Sequence, residues 1–202
     1  MMHRLNSWLV LVLVCAGLAS CGNSHKRTAE DAARKAVTVK DTTLYARIDS
    51  HTSDSLYVTA IADGRKYAFE YADAMHKGHM AGEPNDGDTI ATMPDFKQRK
   101  ALSAINTTQL QGLWMDENDN SVGMRLTTEG GAFSIGGGKE MLRAWHITNG
   151  KIMLTYVGSP ENNTTEKSEA ASIAQLDRIT LALNFDGQLR VYKRQTKLIS
   201  ND

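Results

Sequence analysis

The feature that most constrains this fold is a two-residue alternation of apolar and polar side chains that runs through most of the chain after Val37. Thr43 to Ile48 and Leu56 to Ile61 both alternate in this way, which is the period of a β-strand with one buried face. Tight hairpins need positive φ angles, and the dipeptides that supply them are Asp63-Gly64, Asn149-Gly150 and Asp186-Gly187. No long helical periodicity interrupts the alternation, so the sequence predicts an all-β protein.

The first group of strands predicts a small barrel over residues 37–106. Its strand candidates are Thr43 to Ile48, Leu56 to Ile61, Lys66 to Tyr71, Asp88 to Met93 and Ala101 to Ile105. Ala72 to Lys77 is a short helix candidate after the third strand, and we expect Pro94 to end the fourth. Five short strands with a helix between the third and the fourth is the element order of an OB-type barrel.

The second group of strands predicts a separate module over residues 107–196, followed by a tail over residues 197–202. Its eight strand candidates are Gly112 to Met115, Val122 to Thr127, Ala132 to Ile135, Met141 to Thr148, Lys151 to Val157, Ser172 to Leu176, Ile179 to Phe185 and Leu189 to Lys193. Eight short antiparallel strands favour an up-and-down barrel, because closure removes exposed strand edges. Whether the two modules pack rigidly or swing about Thr107 to Gln111 is left open by the sequence.

The N-terminus predicts export. Residues 1–20 have the basic start, short apolar run and small residues of a secretory signal peptide. The apolar run is too short to cross a bilayer, which takes roughly twenty residues in a helix. Leu18-Ala19-Ser20-Cys21 resembles the lipobox of bacterial lipoproteins, whose cysteine is acylated with palmitate-type chains and becomes the first mature residue. We therefore expect a lipid anchor on Cys21 and a flexible tether over residues 21–36.

Cysteine use and charge limit the chemistry of such a mature chain. Cys15 is the only other cysteine and lies in the segment expected to be removed, so we expect no internal disulfide. The chain has 23 basic and 23 acidic side chains, and this balance gives no electrostatic footprint for nucleic acid. No acidic cluster of the kind that accompanies surface export in Bacteroidetes-type lipoproteins follows Cys21. We expect a position in the cell envelope, anchored to the outer membrane, with the periplasmic face favoured over the cell surface.

The second module resembles a known family. Gly112-Leu113-Trp114 on its first strand, with Arg190 and Arg194 on its last, resembles the lipocalin arrangement, in which an arginine covers a tryptophan at the closed end of the barrel. The ordered set that includes Trp145-His146 and the Gly150-Lys151 hairpin is similar to the lipocalin-like domains of Bacteroidetes lipoproteins over roughly residues 107–195. The domain is shorter than a classical lipocalin and lacks its disulfide, and a small barrel can fill its interior with side chains.

The resemblance implies a ligand site inside the second barrel. Such a site would be lined by inward-facing residues of alternating strands. The candidate ligand-binding residues are Trp114, Met124, Phe133, Trp145 and Tyr156. Packing of the same side chains in a solid core is the alternative interpretation of each.

Met75, His76, His79 and Met80 form a candidate metal site. Two imidazoles and two thioethers lie within six residues, and such soft ligands suit copper. Against this interpretation, the two histidines are three residues apart with Gly78 between them, which is not the i,i+4 spacing of a helical metal site. We expect no cofactor.

The sequence offers no assembled catalytic set. Ala132 to Gly136 approaches the nucleophile elbow, but its first glycine is alanine and the segment predicts a strand instead of a strand-to-helix turn. Gly136 to Lys139 departs from a phosphate loop at the residues before and after the glycines. We therefore expect a protein that is not an enzyme.

Two functions remain open. The first is a membrane-anchored envelope lipoprotein whose lipocalin-like barrel binds or senses a small apolar ligand. The second is a structural or interaction lipoprotein of the envelope in which both barrels are solid. The sequence does not determine the oligomeric state.

Overall fold

The computed structural model describes residues 40–136, 140–158 and 166–195. The described residues from Asp41 onward belong to one compact unit, which contains a closed five-stranded barrel and a nearly closed eight-stranded barrel. The predicted signal peptide and tether therefore lie outside the described residues. In the part of the chain that the structure describes, no helix has the length and apolarity that a membrane span requires.

The first barrel is OB-like, as the element order predicted. Its strands are β1 (Leu44–His51), β2 (Ser55–Ala60), β3 (Lys66–Glu70), β4 (Met80–Ala81), β5 (Thr89–Asp95) and β6 (Lys100–Asn106), and helix α1 (Ala72–His76) follows β3. Strands β1, β2, β3, β6 and β5 close a ring, in which β3 and β6 pair in parallel and the other pairs are antiparallel. The two-residue strand β4, which alternation alone does not predict, pairs with β6.

The prediction that Pro94 ends its strand is wrong. Strand β5 continues through Pro94 to Asp95, and its pairing with β6 shifts register between Met93 and Pro94. A proline cannot donate a ladder hydrogen bond, and a bulge is one of the few places in a sheet that tolerates this loss. The strand therefore passes the proline without ending.

The second barrel contains eight antiparallel strands. They are β7 (Gly112–Asp116), β8 (Gly123–Leu126), β9 (Ala132–Ile135), β10 (Glu140–Thr148), β11 (Lys151–Gly158), β12 (Glu166–Leu176), β13 (Thr180–Phe185) and β14 (Gln188–Arg194). Their order is β10-β11-β12-β13-β14-β7-β8-β9, so the first and last strands of the module pair directly.

The seam between β9 and β10 leaves this barrel only nearly closed. In the described residues, no regular ladder joins the two strands; an isolated bridge pairs Gly131 with Ala144. Further along the seam, the backbone N–H of Leu142 donates to the side-chain oxygen of Ser134 at 2.8 Å. The Ser134 hydroxyl thus accepts the hydrogen bond that a backbone carbonyl of β9 would accept in a complete ladder.

The two barrels share a hydrophobic core at their junction. Helix α2 (Thr107–Leu110) connects them, and the side chain of its N-cap residue Asn106 accepts a hydrogen bond from the backbone N–H of Gln109. Leu110 is fully buried in a cluster that includes Ile105 of the first barrel and Trp114 of the second. The connection from Thr107 to Gln111, for which the sequence left both a rigid joint and a hinge open, is therefore packed into the core.

Candidate functional site

One end of the second barrel, which we call the closed end, is sealed by Trp114 and Arg194. Trp114 is fully buried, and its indole N–H donates to the carbonyl oxygen of Leu110 at 2.7 Å. The guanidinium of Arg194 lies 4.1 Å from the centre of the Trp114 ring, and it donates to the carbonyl oxygens of Gln111, at 2.6 Å, and of Gln109. The arginine expected to cover the tryptophan is thus Arg194, and Trp114 lies beneath it in the core.

The interior next to the closed end is filled by apolar side chains. Met124 and Trp145, two of the predicted ligand-binding residues, are 4% and 5% exposed and belong to the main core cluster. The indole N–H of Trp145 donates to the carbonyl oxygen of Thr127 at 3.0 Å, which satisfies its one polar group. Both residues face inward as predicted, but at this depth they pack against neighbouring side chains.

The interpretation of Phe133 as an inward-facing residue is wrong. Phe133 is 55% exposed, whereas its neighbour Ala132 is fully buried. Residues on a strand alternate between faces, and the cross-strand pairs Ala132–Leu126 and Ser134–Met124 place Ala132 and Ser134 on the inner face. The small alanine occupies the inner position, and the ring of Phe133 projects from the outer surface.

The opposite end of the barrel has a different lining. Tyr156 lies five residues along β11 from Lys151, or about 17 Å along the strand from the β10–β11 turn. Tyr156 and Tyr192 are partly buried, and both pack against the main core cluster. Three charged side chains, Glu169, Arg190 and Glu140, lie near enough to influence the ionisation of Tyr156. We call these four residues, Tyr156, Glu169, Arg190 and Tyr192, the mouth.

Cross-strand pairing places the mouth residues on the inner face. Glu169 pairs with the buried Leu154, and Arg190 pairs with the buried Leu183, so each shares the face of a core residue. Tyr192 lies two residues from both Arg190 and Arg194 on the same strand, so its side chain shares their face. The barrel interior therefore changes from purely apolar at the closed end to aromatic and charged at the mouth.

The electrostatics of the mouth follow from burial and from this mixture of charges. Burial, followed by the negative charge of Glu169, raises the pKa of Tyr156 to about 12, so its hydroxyl is a neutral hydrogen-bonding group at ordinary pH. Burial likewise raises the pKa of Tyr192, while the neighbouring Arg190 opposes the rise. Lys167 donates to Glu169 at 2.7 Å and partly neutralises its charge.

Arg190 also contacts an aromatic ring in the barrel. Its guanidinium carbon lies 4.6 Å from the centre of the Phe185 ring, which is 9% exposed. A guanidinium over a ring face is held by cation–π attraction. Arg190 is exposed overall, and this contact holds its cationic head beside Phe185.

The four candidate metal ligands lie in different surroundings. Met75 lines a surface depression with His51 and Tyr71, whereas His79 lines a groove on the side that faces the second barrel. Met80 is partly buried against the core of the first barrel, and His76 is exposed at the end of α1. Among the described residues there is no group of three or more His, Cys, Asp or Glu side chains that could hold a metal ion.

Sequence reasoning found one of the four mouth residues, Tyr156, in its ligand-site prediction. Arg190 was noted for a different role, as a cover for the tryptophan, and Tyr192 and Glu169 were missed. A signal for two of them was present: once Arg194 is assigned to the inner face, counting back by two places Tyr192 and Arg190 on that face as well. Glu169 carries no such signal, because strand β12 begins six residues before the predicted start at Ser172.

Residues 106–195 match the family model for lipocalin-like proteins. The chain is also similar to a solved structure, a lipocalin-like protein from Bacteroides thetaiotaomicron, at 21% identity and a TM-score of 0.38, over 42% of this chain and 95% of that one. No curated protein matches the chain.

Proposed function

We propose that this protein, whose residues 106–195 form a lipocalin-like domain, is an envelope lipoprotein that binds a small, mainly apolar ligand without catalysing a reaction. Acyl chains on Cys21 would anchor it to the outer membrane, with the periplasmic face favoured. The mouth of the second barrel is the proposed binding site. Trp114, Met124 and Trp145 support the site from below as packed core.

The observation that carries this proposal is the contrast between the two ends of the barrel. At the closed end, the indole N–H of Trp114 donates to Leu110, the guanidinium of Arg194 covers the Trp114 ring, and the inner face is apolar. At the mouth, the inner face carries two partly buried tyrosines. Aromatic side chains with a small number of polar groups are the usual lining of a small-molecule site.

The chemistry of the mouth favours a ligand with an apolar body and a polar end. The rings of Tyr156 and Tyr192 offer apolar surface and a hydroxyl each, and Arg190 and Glu169 offer one donor group and one acceptor group. Because positive and negative side chains are mixed here, the site does not select strongly for net charge. A neutral apolar molecule with one hydrogen-bonding group fits this description.

The second candidate function is a structural or interaction lipoprotein of the envelope. The buried cluster that contains Leu110, Trp114 and Trp145 favours this second function. An interior packed to native density has no room for a ligand. The two functions differ in what they require of the mouth. Only the first predicts that changes at Tyr156 or Tyr192 alter the binding of a small molecule.

A fluorescence titration tests the binding function. The soluble chain that begins at Gly22 is titrated with N-phenyl-1-naphthylamine, a neutral apolar dye whose emission rises on burial. We expect saturable binding with a Kd on the order of 1–10 μM. Tyr156→Ala should weaken it about tenfold, because the ring supplies apolar contact worth about 1–2 kcal/mol. Tyr57→Ala is the matched control, because Tyr57 is 45% exposed on the first barrel. Absence of saturable binding to the wild-type chain would favour the structural function.

Cell fractionation tests the anchor separately. Replacing Cys21 by alanine should move the protein from the membrane fraction to the soluble fraction, because the acyl chains supply the membrane affinity. On intact cells, added protease should spare the wild-type protein if it faces the periplasm. An unchanged membrane fraction in Cys21→Ala would refute the anchor, and digestion on intact cells would place the protein on the surface.

A further inference from the structure

A groove of about 360 Å³ lies between the two barrels. On one side it is bounded by β4, β5 and β6, and on the other by the β10–β11 turn and β12. Its apolar surface comes from Ala81, Met93, Leu102, Ile105 and Ile173. The groove is separate from the mouth, because the β10–β11 turn belongs to the closed end of the second barrel.

The groove is preformed, because direct hydrogen bonds fix the two barrels to each other beside it. The backbone N–H of Asn149 donates to the hydroxyl of Thr43 at 2.7 Å, and the hydroxyl of Tyr45 donates to the carbonyl oxygen of Ile147 at 3.0 Å. These bonds join β1 of the first barrel to the β10–β11 hairpin of the second. A ligand therefore does not have to assemble its own site.

The turn that borders the groove is closely packed against β6. Gly150 has a φ of +76°, and a Cβ atom there would lie 2.9 Å from the hydroxyl oxygen of Ser103. That hydroxyl is buried and forms no hydrogen bond with any described residue. Buried polar groups in folded proteins normally have a hydrogen-bond partner, so this hydroxyl is available to bond a ligand in the groove.

Lys151 is the charged side chain of the groove lining, and Asp41 lies beside the same turn, where its carboxylate accepts from the backbone N–H of Asn149. Lys151 and His79 are exposed and are its ionisable lining residues, and no aspartate or glutamate of the described chain lines it. The cationic amine of Lys151 stands at the end of a mainly apolar surface. This arrangement complements a molecule that carries a negative head on an apolar body.

We propose that this groove binds a small amphipathic carboxylate. The apolar chain would lie along Leu102, Ile105 and Ile173, and the carboxylate would face Lys151. Rotation of the Ser103 side chain toward the groove would give its hydroxyl a hydrogen-bond partner on the bound ligand. Decanoate, a single apolar chain with one carboxylate, has this form and is a suitable probe.

Nuclear magnetic resonance locates the binding directly. The ¹⁵N-labelled soluble chain that begins at Gly22 is titrated with sodium decanoate. We expect saturable shifts of the amide signals of Ser103, Gly150 and Lys151, with a Kd on the order of 0.1–1 mM. Decanol, which has the same chain without the charge, should bind more weakly.

Two variants and one matched control give the proposal a sharp test. Leu102→Asp should weaken decanoate binding at least tenfold, since it places a carboxylate on the apolar wall, and Lys151→Glu should weaken it several-fold. Leu102 is 48% exposed, so the change should not affect folding; Leu189→Asp, at a leucine that is 59% exposed elsewhere, is the control and should leave binding unchanged.

Decanoate binding in the groove should not depend on the mouth residues. Tyr156→Ala should leave the decanoate shifts at Gly150 and Lys151 intact. The groove proposal is overturned if decanoate causes no saturable shifts, if the shifts are confined to Tyr156 and Tyr192, or if Leu102→Asp binds as the wild type does. In the second of these cases the function proposed for the mouth would stand.

Discussion

Replacing Tyr45 by phenylalanine removes a single hydroxyl at the junction of the two barrels. That hydroxyl donates to the carbonyl oxygen of Ile147 at 3.0 Å and accepts from the backbone N–H of the same residue at 2.7 Å. Ile147 is 1% exposed, so both backbone groups lose their partner in a buried position. A buried polar group left unsatisfied costs about 1–3 kcal/mol.

The size of the effect depends on whether water can replace the hydroxyl. Tyr45 lines a groove of about 410 Å³ on one side of the junction, which gives water a route to the vacated space. Water would recover part of the loss, so we expect the free energy of unfolding to fall by about 2 kcal/mol, toward the lower end of the range for two unsatisfied groups.

Urea unfolding followed by circular dichroism measures this change. The midpoint should fall while the slope of free energy against urea stays constant, because the same surface is exposed on unfolding. Tyr57→Phe is the matched control, since Tyr57 is 45% exposed and should change the free energy by less than about 0.5 kcal/mol. A Tyr45→Phe variant as stable as that control would refute the role assigned to this hydroxyl.

Three further perturbations test the second barrel. Arg194→Lys should lower the free energy of unfolding in urea by about 1–3 kcal/mol. Lysine keeps the charge, but it loses the planar contact with the Trp114 ring and the two simultaneous hydrogen bonds to backbone carbonyls. Ser134→Ala should cost about 1 kcal/mol by the same assay, since the N–H of Leu142 loses its partner at 2.8 Å. Because burial raises the pKa of Tyr156 to about 12, its contribution to stability is complete below pH 10 and is lost as pH rises toward 12. Absorbance at 295 nm should show late-titrating tyrosines, and Tyr156→Phe should remove one of them from the signal; titration of every tyrosine near pH 10 would contradict the burial of that ring.

Local pattern determined most of what could be predicted about the fold. Alternation with period two and the turn dipeptides predicted thirteen strands close to those observed, and Ala72 to Lys77 nearly matches helix α1. These features depend on residues that are neighbours in sequence. The main local error, at Pro94, arose because a proline is acceptable where the register shifts, and the register is a property of the partner strand.

The junction between the barrels could not be predicted, because its contacts join distant parts of the chain. The bond between Tyr45 and Ile147 spans 102 residues, and no pattern around either residue indicates it. The groove has the same origin, since Leu102 and Lys151 belong to different barrels. At the candidate site, strand phase identified Trp145 and Tyr156 as inward-facing, but sequence alone could not separate a packed position from a position at the mouth.

The central claim is that the mouth of the second barrel binds a small apolar molecule. The most direct measurement is an amide chemical-shift titration of the soluble chain with N-phenyl-1-naphthylamine. Our account predicts saturable shifts at Tyr156, Glu169, Arg190 and Tyr192, with the signals of Leu110 at the closed end unchanged. Saturation of the dye with no shift at these four residues would contradict it.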